Sequence, residues 1–252
     1  MPIHETDAFV LRTYALKETD KIGVFFGREG GKVRGVAHGA RKLRSRFGAS
    51  LEPFTEVAIS YFQTEHRELV SVSSCEIIRS QFDLITSGEM LALLDHFVEL
   101  VDGFMPEHES NERVYRLIGA TLRALHKATP KQCTALIRYF EIWMLKLAGF
   151  FPDLRFCGLC QRESGQDETV RISEDGAMRC SHCNDRTGGE LRPDSRRLIQ
   201  AIIEQGPALF ISSPPEPRPL GEVGSLTTRL IERTLERPLR SYEFFGRLQP
   251  VS

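Results

Sequence analysis

Four of the six cysteines stand in two close pairs, with the spacing Cys157-x2-Cys160-x19-Cys180-x2-Cys183. Two residues between thiols let a tight turn aim both sulfurs at one ion about 2.3 Å away. Two such pairs complete a tetrahedron, within the spacing range of zinc sites. We therefore predict one structural Zn2+ ion bound by all four thiolates. A closed four-sulfur set leaves no position for a reactive water, so we do not expect catalysis there.

Four other interpretations of the cysteines remain open, and the simplest is a set of free thiols without a metal. Disulfides are disfavoured because residues 1–16 carry Glu5 and Asp7 and lack the apolar core of a secretion signal. A redox C-x-x-C pair is another alternative, but two copies favour a metal. His182 lies inside the second pair and is a weak substitute ligand. We expect Cys75 and Cys133 to be ordinary buried thiols.

A second cluster of chemically useful side chains is basic. Between Arg28 and Arg46 the chain carries seven cations and one anion, a net charge of +6. The cations are Arg28, Lys32, Arg34, Arg41, Lys42, Arg44 and Arg46. Cationic grooves with aromatic platforms hold single-stranded nucleic acid, so we predict that these seven bind backbone phosphates. The alternative is a solvated basic loop.

Aromatic side chains stand on the neighbouring segments as candidate platforms. They are Phe25, Phe26, Tyr61 and Phe62. Each of them fits a core position better than a platform, because large aromatic side chains are usually buried.

The overall net charge of −1 hides this polarity along the 252 residues. Residues 83–112 carry eight acidic side chains and no Lys or Arg. We expect these carboxylates to lie on solvated helix faces and to repel DNA. A hydrophobic content of 41% with 27% charged residues excludes a chain that is disordered throughout. No apolar run approaches the ~18 residues of a membrane span, so we expect no membrane partner and a cytoplasmic location.

Residues 1–80 have the pattern of short β-strands. Apolar or alternating runs occupy 8–11, 22–26, 32–37, 57–62 and 69–72, the last two joined by the polar residues 64–68. Five strands with glycine-rich turns in about 80 residues suit an oligonucleotide-binding (OB) barrel.

From about residue 81 the apolar period becomes helical. Stripes cover 90–101, 114–125, 136–147, 198–203 and 226–235. Asp194-Ser195 is a plausible N-cap, and the four prolines of Ser212–Pro219 predict a loop.

The fold class predicted is α+β multidomain, an N-terminal OB-fold β-barrel followed by an all-α domain with an inserted four-cysteine zinc module. The predicted bounds are 1–80 for the barrel, 81–156 and 184–252 for the helical domain with its C-terminal tail, and 157–183 for the zinc module.

Catalytic motifs are missing from the sequence. The segment Gly27–Val33 fails the phosphate-loop pattern, because G-x4-G-K-[ST] is absent. There is no H-E-x-x-H or G-x-S-x-G motif and no carboxylate set suited to two metals. We therefore expect a protein that is not an enzyme, with an enzyme bearing an accessory OB domain as a remote alternative.

Several segments together resemble the RecO family of bacterial recombination and repair proteins. They are FVLRTYALKETDKIGVFF, REGGKVRGVAHGARKLRSRFG, LEPF at 51–54, FPDLRFCGLC at 151–160 and LRSYEFF at 239–245. The His-Gly-Ala-Arg segment is the most specific, whereas four cysteines alone occur in many unrelated ribbons. The likeness extends over almost the whole chain and is densest in residues 5–80.

The resemblance implies an OB-fold, a helical domain and a zinc-binding module. It implies binding of single- and double-stranded DNA and annealing of complementary strands. It also implies partnership with RecR and the single-stranded-DNA-binding protein (SSB) in loading the RecA recombinase, in the cytoplasm and associated with the nucleoid. The competing hypothesis is a zinc-ribbon and OB-fold module that binds RNA or serves transcription.

Overall fold

The computed structural model describes residues 3–63, 69–85, 87–184 and 187–242. The predicted polar joint at 64–68 and the end of the LRSYEFF segment, from residue 243 on, lie outside the described residues. Within the described chain, residues 3–119 with 240–242 form one compact unit and residues 120–239 form another.

The first unit begins with a closed five-stranded barrel. Its strands are β1 (Ile3–Leu16), β2 (Asp20–Gly27), β3 (Gly31–Ala37), β4 (Glu56–Phe62) and β5 (Val70–Arg79). Their order around the barrel is β1-β2-β3-β5-β4, and β4 closes it by pairing antiparallel with β1. All neighbours are antiparallel except β3 and β5. The predicted OB-like barrel is confirmed.

Two barrel strands are longer than the apolar runs predicted. Strand β1 extends over polar residues at both ends and carries a register shift between Val10 and Arg12, which breaks its alternation. Strand β5 continues to Arg79 because it pairs with β4 along its whole length. Pairing partners therefore set the strand ends, which local hydrophobicity does not reveal.

The helices are α1 (Gly88–Phe104), α2 (Glu112–Leu125), α3 (Pro130–Leu147), α4 (Pro193–Glu204), α5 (Pro207–Phe210) and α6 (Pro217–Leu235). All of them except the short α5, which the sequence patterns did not predict, follow the predicted stripes. In the second unit α3 packs on α4 and α6. The indole of Trp143 donates to the Ile202 carbonyl at 3.0 Å, which fixes the end of α4 against α3.

Two predictions about helix starts are wrong. Part of the predicted proline loop belongs to α6, which begins at Pro217. Proline is tolerated there because the first helical N–H groups have no partner within the helix. Helix α4 begins at Pro193 with Arg192 as N-cap, so Ser195 is buried inside the first turn and its hydroxyl donates to Glu222 at 2.7 Å.

The cysteine-bearing segment of the second unit contains a small sheet that the sequence patterns do not reveal. Strands β6 (Val170–Ile172), β7 (Met178–Arg179) and β8 (Gly189–Leu191) are antiparallel in the order β7-β6-β8. Val170, Ile172, Met178 and Leu191 are buried. Such short strands bury little apolar surface, so the sheet needs further support.

Candidate functional site

The four predicted cysteines converge on one point. Their Sγ atoms all lie within 4.8 Å of one another. The Cys160 and Cys180 sulfurs are 3.8 Å apart. A tetrahedron with Zn–S bonds of about 2.3 Å has S···S edges of about 3.8 Å, so the cluster has the size of a four-thiolate metal site. All six cysteines of the chain are free thiols.

Local backbone bonds shape the first cysteine turn. The Cys157 N–H donates to the Arg162 carbonyl at 2.9 Å, and the Gln161 N–H donates back to the Cys157 carbonyl at 2.9 Å. The Gly158 N–H donates to Met178 of β7 at 2.8 Å, which ties this turn to the sheet. A Cβ at residue 158 would lie 2.9 Å from the Ala177 Cβ, so glycine permits this close approach.

The thiols at the centre have unequal pKa values. Burial raises the pKa of Cys157, but N–H groups of Cys160, Cys180 and Leu159 outweigh it and bring it to about 6. Burial likewise raises the pKa of Cys180, and donors that include Arg162 turn the shift downward. A hydrogen bond with Cys160 is the largest cause that raises the pKa of Cys183 to about 12. A bound cation would balance four thiolates that otherwise repel one another.

Arg162 and Glu168 support the cluster from outside, and the sequence patterns did not identify them. Arg162 forms a hydrogen bond with the Cys180 sulfur, which is the largest cause raising the pKa of its guanidinium. Glu168 forms an ion pair with Arg162 and accepts hydrogen bonds from the Ser181 N–H and hydroxyl. Burial raises the pKa of Glu168, but these donors bring it to about 2. No spacing rule marks such outer residues in a sequence.

The basic segment divides into two parts in the structure. We call Arg28, Lys32 and Arg34 the strand cations, because they lie on β3 or just after β2. The Lys32 ammonium is buried and donates to the Asp102 carboxylate at 3.0 Å and to its backbone carbonyl at 2.7 Å. Lys32 is therefore a buried, ion-paired cation of the barrel, and its binding to a phosphate stays a prediction.

The other two strand cations are also paired, although they remain partly exposed. Arg34 contacts Glu107 at 2.6 Å. Arg28 lies 3.5 Å from Asp7, with its guanidinium over the Tyr115 ring. Whether these two bind nucleic acid stays a prediction.

The acidic segment supplies several of these counterions. Asp102 and Glu107 pair with β3, and Asp95 of α1 pairs with Arg12 of β1 at 3.0 Å. These three carboxylates are ion-paired, yet each side chain stays partly exposed, and the repulsion of DNA by the acidic segment stays a prediction. The cause of the pairing with β3 is packing, because the His108 N–H donates to the Lys32 carbonyl at 3.0 Å. Gly31, at φ +63°, allows this approach, since a Cβ there would lie 2.3 Å from a backbone oxygen.

The second part of the basic segment lies on what we call the tip loop, residues 38–47 between β3 and a short 3-10 helix. Its four cations, the tip cations, are Arg41, Lys42, Arg44 and Arg46, and all are exposed. In the part of the chain that the structure describes, none of them forms an ion pair with a carboxylate. Leu43, between them, is also exposed.

Contacts at both ends of the tip loop hold it in place. Asp20, at the start of β2, accepts from the Gly39 N–H at 2.8 Å and contacts the His38 ring at 3.0 Å. The Gly39 N–H is the largest of the causes that lower the pKa of Asp20 to about 2. The Arg41 N–H donates to the Thr19 carbonyl at 2.9 Å. At the other end Phe47 is buried in the barrel core.

The predicted aromatic platforms are mainly core residues. Phe25 and Phe26 are fully buried and Tyr61 is nearly so. Phe25 and Tyr61 belong to the apolar cluster inside the barrel. These three rings therefore offer no open face to a base.

Comparison with known proteins agrees with this architecture. Residues 1–81 match the family described as "Recombination protein O N terminal", and residues 85–243 match "Recombination protein O C terminal". The chain is 30% identical over 246 residues to "DNA repair protein RecO" of Koribacter versatilis, with 98% of this chain and 99% of that protein covered. It is 34% identical over 250 residues to the protein of that name from Geobacter sulfurreducens, covering 97% and 98%.

An OB-like barrel, a helical region and a four-cysteine cluster, with matches to both halves of one family, define the class as a DNA-repair protein. The chain belongs to the RecO family. Within the described residues, no helix has the length and apolar character needed to cross a membrane.

Proposed function

We propose that this protein is a non-enzymatic mediator of recombinational DNA repair that binds single- and double-stranded DNA through the tip loop. The observation that carries the proposal is the set of four exposed tip cations without carboxylate partners among the described residues. The names of the relatives support DNA as the partner. An OB-like barrel is a common frame for nucleic-acid binding.

The proposed mechanism is electrostatic. The tip cations neutralise phosphates of one strand and reduce its repulsion of a second strand. Base pairing between complementary strands then supplies the free energy of annealing, so nucleotide hydrolysis is not required. Contacts to phosphates alone carry little sequence information, and we expect little sequence preference.

The partners proposed are those implied by the family resemblance. The protein would act with RecR on DNA coated by SSB and help to load RecA there. This role places it in the cytoplasm, associated with the nucleoid.

We also propose one structural Zn2+ bound by Cys157, Cys160, Cys180 and Cys183. Support comes from the mutual Sγ distances and from a donor set of four thiols, which suits zinc. The ion would contribute folding free energy to the small sheet β6–β8 and offer no open coordination position.

The test replaces the four tip cations together, in R41A/K42A/R44A/R46A. Each phosphate contact contributes about 0.7 to the slope of log affinity against log salt for single strands, so the slope should fall by about 3. Affinity at low salt should fall by roughly two orders of magnitude. Fluorescence anisotropy with a labelled oligonucleotide measures both quantities, and a strand-annealing assay with and without SSB measures the activity.

A matched control removes the same number of exposed charges elsewhere. Arg113, Arg116, Arg123 and Lys127 are exposed on or just after α2, and their alanine variant should keep most of the salt slope. Wild-type affinity in a folded tip variant would overturn the proposal. Equal binding of matched RNA without DNA annealing would favour an RNA-binding module instead.

A further inference from the structure

Leu43 has the highest relative exposure, 103%, among the large apolar side chains in the described part of the chain. Phe82 follows at 78%. A single exposed leucine is ordinary on a protein surface and alone has no functional meaning. Its surroundings are what distinguish Leu43.

The chain places Leu43 directly between two tip cations, Lys42 and Arg44. No Asp or Glu occurs between Glu29 and Glu52, so no acidic residue close in sequence opposes the approach of a polyanion. When the flanking cations contact phosphates, Leu43 is held against the same strand. An apolar side chain held beside the phosphates of one strand can contact the bases, because the flat faces of the bases are the apolar surfaces of a nucleic acid.

The tip loop is also held in position before any ligand arrives. Asp20 binds the Gly39 N–H, and Phe47 anchors the other end in the barrel core. The ends of the tip loop, which carries Leu43, are therefore ordered before a ligand binds. Preorganisation of this kind lowers the conformational entropy lost on binding.

We propose that Leu43 is a base-contacting residue that inserts its side chain between or against unstacked bases of a single strand. The inference rests on the proposed function and deepens it, because it adds an apolar contact to the phosphate contacts of the tip cations. Apolar wedges, leucine among them, insert between base steps in other DNA-binding proteins. The ligand class is single-stranded or locally opened nucleic acid, whose bases are accessible.

The experiment compares two strands of equal length and charge, an oligothymidylate and an abasic oligodeoxyribose phosphate. The wild-type protein should bind the oligothymidylate about five- to tenfold more tightly, the lower range for a contact with one base. Leu43→Ser should lose this preference, keep the wild-type affinity for the abasic strand and keep the wild-type salt slope. Leu43→Phe should retain the preference, because a larger apolar side chain still contacts the base.

A direct signal comes from Leu43→Trp. Its fluorescence should be quenched by the oligothymidylate and not by the abasic strand. Leu209→Ser removes another exposed leucine, from α5 of the second unit, and should leave the preference unchanged. Circular dichroism melting checks that each variant is folded, which a fully exposed position should permit.

Three results would overturn the assignment of Leu43. One is equal affinity of the wild-type protein for both strands. Another is a preference for the oligothymidylate that Leu43→Ser retains. The third is binding to phosphatidylglycerol vesicles that requires Leu43 while no base preference exists, which would make the tip a lipid contact. Failure of the proposed function looks different, because then R41A/K42A/R44A/R46A would keep wild-type affinity and salt slope on both strands.

Discussion

The two parts of the basic segment carry similar charge and are neutralised differently. The strand cations Lys32 and Arg34 contact Asp102 and Glu107, which the same unit supplies. The tip cations extend from a loop whose own sequence contains no carboxylate. The first part therefore stabilises the unit, and the second is the part available to an external polyanion.

The four-cysteine cluster extends this comparison to the opposite sign of charge. Its thiols receive backbone N–H groups and one guanidinium, that of Arg162. These donors favour some thiolates, but Cys183 keeps a raised pKa of about 12. The described part of the chain does not fully balance the charges of either cluster, which is the shared reason why we propose a dication at the cysteines and a nucleic acid at the tip.

The largest expected effect is that of removing the cysteine ligands. In C157S/C160S we expect the proposed Zn2+ to be lost and the sheet β6–β8 to unfold, because structural zinc contributes about 10–16 kcal/mol of apparent binding free energy in small peptides. Inductively coupled plasma mass spectrometry and thermal melting measure the two outcomes. DNA affinity should change little, since the tip cations are untouched.

Cys133→Ser provides the control for this change, because Cys133 is a half-buried thiol of α3 outside the cluster. It should keep one zinc per chain. If wild-type protein prepared without oxygen contains no metal, the zinc proposal is wrong and the comparison holds only for the cations.

A smaller effect is expected when a strand cation loses its counterion. In Asp102→Ala the buried Lys32 ammonium loses its carboxylate partner and keeps only the backbone carbonyl of residue 102 from that position. Loss of one member of a buried pair costs about 3–5 kcal/mol of stability. Because Asp102 is partly exposed, we expect a smaller loss of about 1–3 kcal/mol. Urea unfolding measures this loss of stability. The DNA affinity of Asp102→Ala should stay close to that of a control variant that removes an acidic charge elsewhere.

Glu76→Ala, at an exposed position of β5, removes the same charge and serves as that control. If Asp102→Ala changed DNA affinity well beyond Glu76→Ala at unchanged stability, Lys32 would be a DNA contact. The distinction between strand and tip cations would then fail.

Much of this arrangement could be predicted from local patterns. The alternation in β3 and the helical stripes in α1–α4 and α6 reflect burial of one face of each element. This burial gives the apolar residues a period that is visible in the sequence. The spacing of the cysteines predicted the four-cysteine cluster, because each C-x2-C pair needs only a tight local turn. The family motifs then fixed the order of the parts.

What the patterns could not reveal depends on contacts between distant residues. Lys32 and Asp102 are 70 positions apart, and nothing local distinguishes Lys32 from Lys42. Arg162 and Glu168 support Cys180 through the folding of the cysteine turns. The acidic residues at 83–112 were the available sequence signal for these ion pairs. Their role as counterions becomes clear only when their packing on β3 is known.

The smallest effect expected concerns the anchor of the tip loop. Asp20 accepts from the Gly39 N–H and contacts His38, and these bonds lower the pKa of its carboxyl to about 2. Because the folded pKa lies below the ordinary value near 4, the stabilisation is complete above about pH 4 and is lost as the pH falls through about 2. Asp20→Ala should reduce amide protection at Gly39 and Arg41 at neutral pH, measured by hydrogen exchange.

The difference in protection factors between wild type and Asp20→Ala should narrow as the pH falls from about 4 toward 2, where the wild-type carboxylate becomes protonated. Glu18→Ala, an exposed change in the same turn, should leave the protection at Gly39 and Arg41 intact. DNA affinity of Asp20→Ala should fall only a few-fold, because the tip cations remain and lose only their preorganisation. Unaltered amide protection at Gly39 and Arg41 with a large loss of DNA affinity would mean that Asp20 takes part in the DNA contact itself. The distinction between strand cations and tip cations, which is based on their contacts within the chain, would then fail.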